Sequence, residues 1–249
     1  MARYDFRSPR LYVAAPLAPG ASIALDKAQA NYLVNVLRLK PDDTVLVFNT
    51  RDGEWQANLA TTGKRASALA VSAQTRPQTA PADLHYLFAP LKHARLDYMV
   101  QKAVEMGVSR LQPVMTRHAQ VGRVNLDRMQ ANAIEAAEQC GILTLPDIAP
   151  PATLDAMIAG WDPARLLVFC DEDAEASDPM AALAAARSGT RAPLAVLVGP
   201  EGGFAADERA ALLRLPNVVR LALGPHILRA DTAAVAALTL VQTMLGDWR

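Results

Sequence analysis

Two glycine-containing segments near the end of the chain decide its fold: LVGPEGGF at residues 197–204 and LALGPHILRADT at residues 221–232. Each begins with a short apolar run, which predicts a buried strand, and each is followed by a sequence with helical spacing. Two strand–loop–helix units in succession place two glycine loops at the same edge of a sheet. Because open α/β sheets bind ligands at that edge, the loops predict a pocket for a small cofactor.

The residues of these loops exclude two common nucleotide sites. A P-loop ends in Gly-Lys-Ser or Gly-Lys-Thr, whereas Gly202 and Gly203 are followed by Phe204, and the chain has no Gly-x-Gly-x-x-Gly fingerprint. Glycines allow the backbone to approach a flat ligand closely. We therefore expect a cofactor without phosphates, with its adenine edge against backbone groups and Glu201 near a ribose hydroxyl or a cationic centre.

Alternating strand and helix patterns extend back from the two loops to residue 83. They predict strands at 84–89, 108–115 and 166–170, and helices at 94–106, 126–140, 179–187 and 232–245. This alternation is typical of an α/β fold whose mostly parallel sheet is covered on both faces. The last helix is nearly uncharged but too short to span a bilayer, so we interpret it as a core or interface helix.

The N-terminal part of the chain has a different pattern. Residues 1–73 contain several short strand-like runs separated by turn signals, with one helical segment at 26–37, and they predict a small β-barrel. The segment 74–82 is polar, contains two prolines and predicts a linker. The remaining residues, 83–249, form the predicted α/β domain.

Charge is segregated along a chain whose net charge is zero. Residues 1–130 contain 17 Lys and Arg against 10 Asp and Glu, whereas residues 131–249 contain 8 against 15. A basic N-terminal half favours a polyanionic partner, although chance segregation that is compensated across the folded surface explains the same counts. Cys140 and Cys170 have no metal-like spacing, and the first residues have no apolar run, so we expect a cytoplasmic protein without a metal.

The chain resembles the bacterial small-subunit (16S) ribosomal RNA uridine-N3 methyltransferases, a family of the knotted (SPOUT) methyltransferase superfamily. The most specific likeness lies in GPEGGF at 199–204 and in LG-x-x-ILR-x-x-TA, which starts at Leu223. It extends to QKAVEMGV at 101–108, EAAEQ at 135–139 and YL-x-x-VLRLK at 32–40. The likeness therefore spans nearly the whole chain.

This resemblance implies a fold and an activity. The fold would be a parallel-sheet domain with a C-terminal trefoil knot, preceded by a PUA-like β-barrel that binds RNA. The activity would be the transfer of a methyl group from S-adenosyl-L-methionine to N3 of one uridine in 16S ribosomal RNA. The substrate would be that RNA or the small ribosomal subunit, and the enzyme would be a homodimer that contacts no membrane.

The resemblance also implies site residues. The expected cofactor contacts are Leu197, Val198, Gly199, Pro200, Glu201, Gly202, Gly203, Leu221, Leu223, Gly224, Ile227, Leu228 and Thr232. Arg229 is the candidate for stabilising the uridine anion, and Glu201 is a weaker candidate for a base or a cofactor contact. The candidate phosphate contacts are Arg7, Arg10, Arg38, Lys40, Lys64, Arg65, Lys92 and Arg95.

Each of these roles has a plainer alternative. Arg229 would form only a surface salt bridge, Glu201 would be a carboxylate at a helix N-terminus, and Asp231 or Thr232 would cap the last helix. The chain departs from the family pattern at His226, Asp231, Asn31 and Ile142, where Arg, Glu, His and Arg are usual. The departures at His226 and Asp231 favour a second hypothesis, a non-catalytic RNA-binding or ribosome-assembly protein with an inactive knot. A third is a small-molecule enzyme whose basic half is accidental.

Overall fold

The computed structural model describes residues 7–62, 65–174, 178–187 and 192–248. The chain divides into two compact units. Unit 1 comprises Met1–Ala80 and Ala137–Leu145, and unit 2 comprises Pro81–Ala136 and Pro146–Arg249. The division after residue 80 lies inside the predicted linker, but the assignment of 137–145 to unit 1 has no counterpart in the sequence pattern.

Unit 1 is built on a five-stranded sheet with the strand order β1-β3-β4-β5-β2. The strands are β1 (Arg10–Tyr12), β2 (Ser22–Ala24), β3 (Thr44–Phe48), β4 (Glu54–Thr62) and β5 (Arg65–Arg76). β1 pairs with β3 in parallel, and the other pairs are antiparallel. Three register shifts between β4 and β5 increase the local twist and curl the sheet. Because β5 continues to Arg76, the first three residues of the predicted linker are strand.

The helical segment predicted at 26–37 is present but is not a single α-helix. It consists of α1 (Lys27–Asn31) followed by a π-helical turn, Tyr32–Val36. The Asp26 carboxylate accepts a hydrogen bond from the backbone N–H of Gln29 at 2.8 Å, so Asp26 caps the N-terminus of α1.

A buried network of salt bridges in unit 1 involves Arg10, one of the predicted RNA contacts. Arg10 Nε donates to Glu54 Oε2 at 3.0 Å, and the two side chains are only 5% and 3% exposed. Arg76 Nε donates to the other carboxylate oxygen at 2.9 Å. A buried cation without its partner is costly, so Arg10 is committed to Glu54 and is not available for a phosphate. The expectation that Arg10 contacts RNA is therefore wrong.

Unit 2 contains a parallel sheet with the strand order β12-β10-β11-β6-β7-β8, and β9 also pairs with β7. Its strands are β6 (Leu84–Phe88), β7 (Arg110–Met115), β8 (Asp147–Ile148), β9 (Ala152–Thr153), β10 (Leu166–Cys170), β11 (Leu194–Val198) and β12 (Val218–Leu221). The helices are α2 (His93–Glu105), α3 (Leu126–Cys140), α4 (Leu154–Ala159), α5 (Pro179–Ala185), α6 (Ala206–Leu212) and α7 (Ala230–Met244). The parallel α/β class predicted for this part of the chain is confirmed.

The strand register aligns the C-terminal ends of β10, β11 and β12 at one edge of the sheet. Cys170, the last residue of β10, is paired with Val198 at the end of β11 and with Leu221 at the end of β12. The two glycine loops therefore leave the same edge of the sheet, as predicted. The loop that follows β10 leaves the sheet between them.

The start of α7 differs from the prediction. The helix begins at Ala230 with Arg229 in the N-cap position, and no side chain caps it. The Asp231 carboxylate instead accepts a hydrogen bond from the backbone N–H of Thr232 at 3.0 Å, so neither residue is the cap. Among the described residues, no helix has both the length and the apolar character needed to cross a membrane.

Replacing Glu54 by Gln should lower the free energy of unfolding of the full chain by about 3 kcal/mol at neutral pH, because Arg10 would keep a buried charge without its counterion. Urea unfolding measures this difference. The control is Asp42→Asn, the same chemical change at an exposed carboxylate, which should change the free energy by less than about 0.5 kcal/mol.

The effect should also depend on pH. Burial by itself raises the pKa of Glu54, but hydrogen bonds from Arg76, Thr75 and Arg10 outweigh it and lower this pKa below its ordinary value of 4.5. A carboxyl whose pKa is lower in the folded state stabilises the fold above its ordinary pKa and loses that contribution as the pH falls through the folded value. Wild type and Glu54→Gln should therefore converge in acid, and a constant difference would contradict this network of salt bridges.

Candidate active site

A cleft opens in unit 2 at the sheet edge where β10, β11 and β12 end. Its empty volume, including the open mouth, is about 820 Å³. Three loops line it, at 170–174, 198–203 and 221–228, together with the first residues of α7. A cleft at the carboxyl ends of parallel strands is a typical small-molecule site.

Most of the expected cofactor contacts line this cleft: Val198, Gly199, Pro200, Glu201, Gly203, Leu221, Leu223, Gly224, Ile227 and Leu228. Three others do not. Leu197 is fully buried in the apolar core that includes Phe169 and Phe204. Gly202 faces His118, because a Cβ added at residue 202 would lie 3.2 Å from the Cβ of the histidine. Thr232 is exposed in the first turn of α7.

The first glycine loop owes its shape to three contacts. A Cβ at Gly199 would collide with the ring of Phe204, and that ring packs edge-on against Phe169 with the centroids 5.0 Å apart. The backbone N–H of Gly203 donates to Pro200 O at 2.9 Å and closes a tight turn. Gly203 has φ +67°, and a Cβ there would collide with the Glu172 carboxylate. The glycines of the motif are therefore needed for this packing.

The loop after β10 is a part of the site that sequence reasoning missed. It contributes Cys170, Asp171, Glu172 and Ala174 to the lining. The strand at 166–170 was predicted, but the acidic run behind it contains no glycine, and only its position beside β11 marks it as part of the cleft. A polar run that directly follows a buried strand is the signal that would have found it.

Asp171 organises this third loop. Its side chain is 0% exposed, and its carboxylate accepts hydrogen bonds from Arg209 Nε at 3.1 Å and from Arg220 Nε at 2.7 Å. Burial opposes the charge on Arg209, but its bonds to Asp171 outweigh this effect and raise its pKa further. The charged pairs hold the loop against α6 and β12.

Cys170 is not a nucleophile in this cleft. Burial and the neighbouring Asp171 charge raise the pKa of its thiol to about 12. The side chain is therefore a neutral thiol at physiological pH, and a thiol without thiolate character is unreactive. Any chemistry in the cleft must therefore come from groups other than this thiol.

The two predicted catalytic residues lie at different places. Glu201 lines the cleft, its side chain is 34% exposed, and it forms an ion pair with Arg95 at 3.3 Å. It is not a carboxylate of the first turn of α6, where Asp207 and Glu208 are found. Arg229 is exposed at the N-cap of α7 and is not part of the lining.

The alternative role of Arg229 as a surface salt bridge finds no support, because no ion pair of this residue occurs among the residues that the structure describes. Arg229 directly follows Leu228, a lining residue of the cleft, in the sequence. Of the positions that depart from the family pattern, His226 lines the cleft. Asn31 accepts a hydrogen bond from Asn35 Nδ2 at 2.7 Å in unit 1.

The remaining predicted RNA contacts fall into three groups. Arg7, Arg38, Lys40 and Lys92 are exposed. Arg95 is partly occupied by its ion pair with Glu201. Lys64 and the side chain of Arg65 lie outside the described residues. With Arg10 excluded, the exposed cations stay a prediction.

Comparison with known proteins identifies the two parts of the chain. The sequence model of a family described as "RNA methyltransferase domain" matches residues 78–242, and one described as "RNA methyltransferase PUA domain" matches residues 25–70. The PUA-like character predicted for the N-terminal part is thereby confirmed.

Full-length relatives point the same way. A Ribosomal RNA small subunit methyltransferase E from Rickettsia conorii is 30% identical over 96% of this chain and 96% of its own length. The protein of the same name from Synechocystis is 29% identical over 95% of this chain and 78% of its own. A crystal structure of the Neisseria gonorrhoeae protein of this name, bound to S-adenosyl methionine, superposes with a TM-score of 0.83 at 25% identity, covering 98% of this chain and 100% of that chain.

Gly203→Ala should weaken the binding of S-adenosylmethionine about tenfold, because a residue with a side chain is strained at φ +67° and the Glu172 carboxylate would have to move. Isothermal titration calorimetry measures the dissociation constant. Gly122→Ala is the control, since an added Cβ there meets nothing within 4 Å and should leave binding unchanged. Unchanged binding by Gly203→Ala would mean that this turn does not shape the cofactor site.

Proposed function

The chain belongs to the RNA methyltransferase family of the small-subunit methyltransferases E, and on that basis we propose that it transfers the methyl group of S-adenosylmethionine to N3 of one uridine in 16S ribosomal RNA. The observation that supports this proposal most strongly is the cleft at the ends of β10, β11 and β12. Ten of the thirteen expected cofactor contacts line it. A structural relative that covers 98% of this chain binds S-adenosyl methionine.

The shape and chemistry of the cleft suit an adenosine-containing ligand without phosphates. Val198 and Leu221 present apolar side chains at the floor, where the strands end. Gly199 and Gly203, which have no side chains, line the cleft in the first loop. The acidic side chains of Glu172 and Glu201 at the rim attract a cation and repel a phosphate. S-adenosylmethionine, which carries a sulfonium and an ammonium group, matches this distribution of charge.

S-adenosylmethionine would supply a methyl group that is activated by its sulfonium. The protein must then orient the uridine and favour loss of its N3 proton, because neutral N3–H is a poor nucleophile. Arg229 would stabilise the uridine anion with its guanidinium, and it follows the lining residue Leu228 directly in the sequence. Arg95 holds the Glu201 carboxylate at the rim, where it would contact the cofactor or accept the proton.

Recognition of the RNA would involve both units. The PUA domain of unit 1 and its exposed cations Arg7, Arg38 and Lys40 would contact phosphates. N3 lies on the Watson–Crick edge, so a paired uridine would have to be exposed before it reacts. Membership of the family further supports a homodimer, a trefoil knot in unit 2 and a cytoplasmic location beside the ribosomal substrate.

The non-catalytic alternative is not favoured. The turn at Gly203, with its positive φ, and the buried charges around Asp171 are both present beside the cleft. The departures at His226 and Asp231 lie in the lining of the cleft and in the first turn of α7, and neither is one of the ten expected contacts that line the cleft.

The activity can be measured directly. Purified protein should transfer labelled methyl groups from S-adenosylmethionine to small ribosomal subunits from a strain that lacks the gene, and mass mapping should place the label on N3 of a single uridine. Subunits from the parent strain, which already carry the modification, should accept almost none. Label on another atom or on several nucleotides would contradict the proposed specificity.

Arg229→Ala should lower the turnover number about 100-fold and change the dissociation constant of S-adenosylmethionine less than about twofold, because it removes charge stabilisation that develops only during reaction. Single-turnover methylation and calorimetry measure the two quantities separately. Arg214→Ala, at another exposed arginine, is the control and should change neither. Loss of cofactor affinity without loss of turnover would reassign Arg229 to cofactor binding.

A further inference from the structure

His118 is not a lining residue of the cleft, but its ring contacts the backbone of the first glycine loop. Its Nδ1 atom is 3.1 Å from Gly202 O and 3.1 Å from Gly203 O. A carbonyl oxygen can only accept a hydrogen bond, so Nδ1 must be the protonated nitrogen that donates to both. The histidine therefore supplies one N–H that two successive carbonyl groups share.

These two carbonyl groups need a common donor. Successive peptide C=O groups that converge on one point repel each other unless a hydrogen bond lies between them. The turn that holds them includes Gly203 at φ +67°, and it is closed by the Gly203 N–H bond to Pro200 O. Without the donor at Nδ1, rotation of the peptide after Gly202 relieves the repulsion and shifts the adjoining Glu201 and Gly203, which line the cleft.

The segment that presents His118 is itself anchored to the helix that follows the glycine loop. The backbone N–H of Arg117 donates to Glu208 Oε1 at 2.8 Å, and the Arg117 guanidinium donates to Asp207 Oδ1 at 2.8 Å. The other oxygen of Glu208 accepts from the N–H of Ala205 at the N-terminus of α6. These bonds set the position of residue 118 relative to both ends of the loop.

The close packing of His118 against Gly202 also indicates that the histidine supports this loop. A Cβ at Gly202 would lie 3.2 Å from His118 Cβ, which is tighter than an ordinary contact, and 3.6 Å from Cγ. Gly202 therefore lets the histidine approach the loop backbone, which explains why this glycine belongs to the motif although it does not line the cleft.

We propose that His118 is a positioning residue for the cofactor, whose Nδ1–H holds the loop at 198–203 in the conformation that binds S-adenosylmethionine. The inference rests on the proposed function of the same cleft. It assigns no chemical step to His118, and it predicts a role in cofactor affinity that is separate from turnover.

Three substitutions separate the hydrogen bond from the bulk of the side chain. Asn places an amide nitrogen at the same distance from Cβ as Nδ1 and keeps the donor. Asp has the same shape but offers only acceptors to the two carbonyl groups. Phe keeps a ring and removes the polar atoms. The quantities to compare are the dissociation constant for S-adenosylmethionine from calorimetry and, with the RNA substrate, KM for the cofactor and kcat at saturation.

We expect His118→Asn to bind within about twofold of wild type, and His118→Asp and His118→Phe to bind about tenfold more weakly, the effect of losing one hydrogen bond to a loop. KM for the cofactor should rise in those two variants while kcat at saturation stays constant. Melting temperatures without the cofactor report whether each variant is folded. If the Asp variant is unfolded, the affinity of the Phe variant tests the role of the hydrogen bond.

Two results would overturn the assignment. Equal affinity of the Asn and Asp variants, with wild type binding normally, would show that the hydrogen bond does not position the loop. If the Asn variant loses as much affinity as the Phe variant, the hydrogen bond likewise does not position the loop. Failure of wild type itself to bind S-adenosylmethionine is a different outcome, since it would overturn the proposed function and this role together.

Discussion

The buried carboxylate of Asp171 is the interaction on which the site depends. It stands at the end of β10 and accepts hydrogen bonds from Arg209 of α6 and Arg220 of β12. A fully buried charge is stable only while its partners stay in place, and removal of one partner of such a group costs about 3–5 kcal/mol. The loop after β10, the helix after the first glycine loop and the last strand of the sheet are therefore coupled through one side chain.

This coupling would let the chain contribute to methyl transfer mainly by fixing the position of the groups around the cleft. The thiol of Cys170 is kept neutral by burial, and the described lining holds no cluster of groups suited to a metal. The chain instead fixes the loop after β10 through the ion pairs of Asp171 and the first glycine loop through the hydrogen bonds of His118. For a cofactor that brings its own leaving group, position and the placement of charge are the main contributions a protein can make.

Local sequence patterns predict the α/β fold and the glycine loops of the cleft, because the residues that shape these loops lie close together in sequence. Gly199 and Phe204 are five residues apart and pack on each other, so their motif could be recognised as one unit. The features that were missed depend on distant contacts. Arg10 is buried because Glu54 reaches it from 44 residues away, and Asp171 is buried because of an arginine 38 residues later. The acidic run after β10 contains no glycine, so only the sheet order reveals that it lines the cleft.

The central claim is that the three loops after β10, β11 and β12 form one slot for the methyl donor. A crystal structure of the protein soaked with S-adenosylmethionine tests it most directly. We predict electron density for the adenosine between the loops at 198–203 and 221–228, with the sulfonium side chain near Glu172 or Glu201. Density for the ligand at another place on the protein, with this cleft filled only by solvent, would contradict the account.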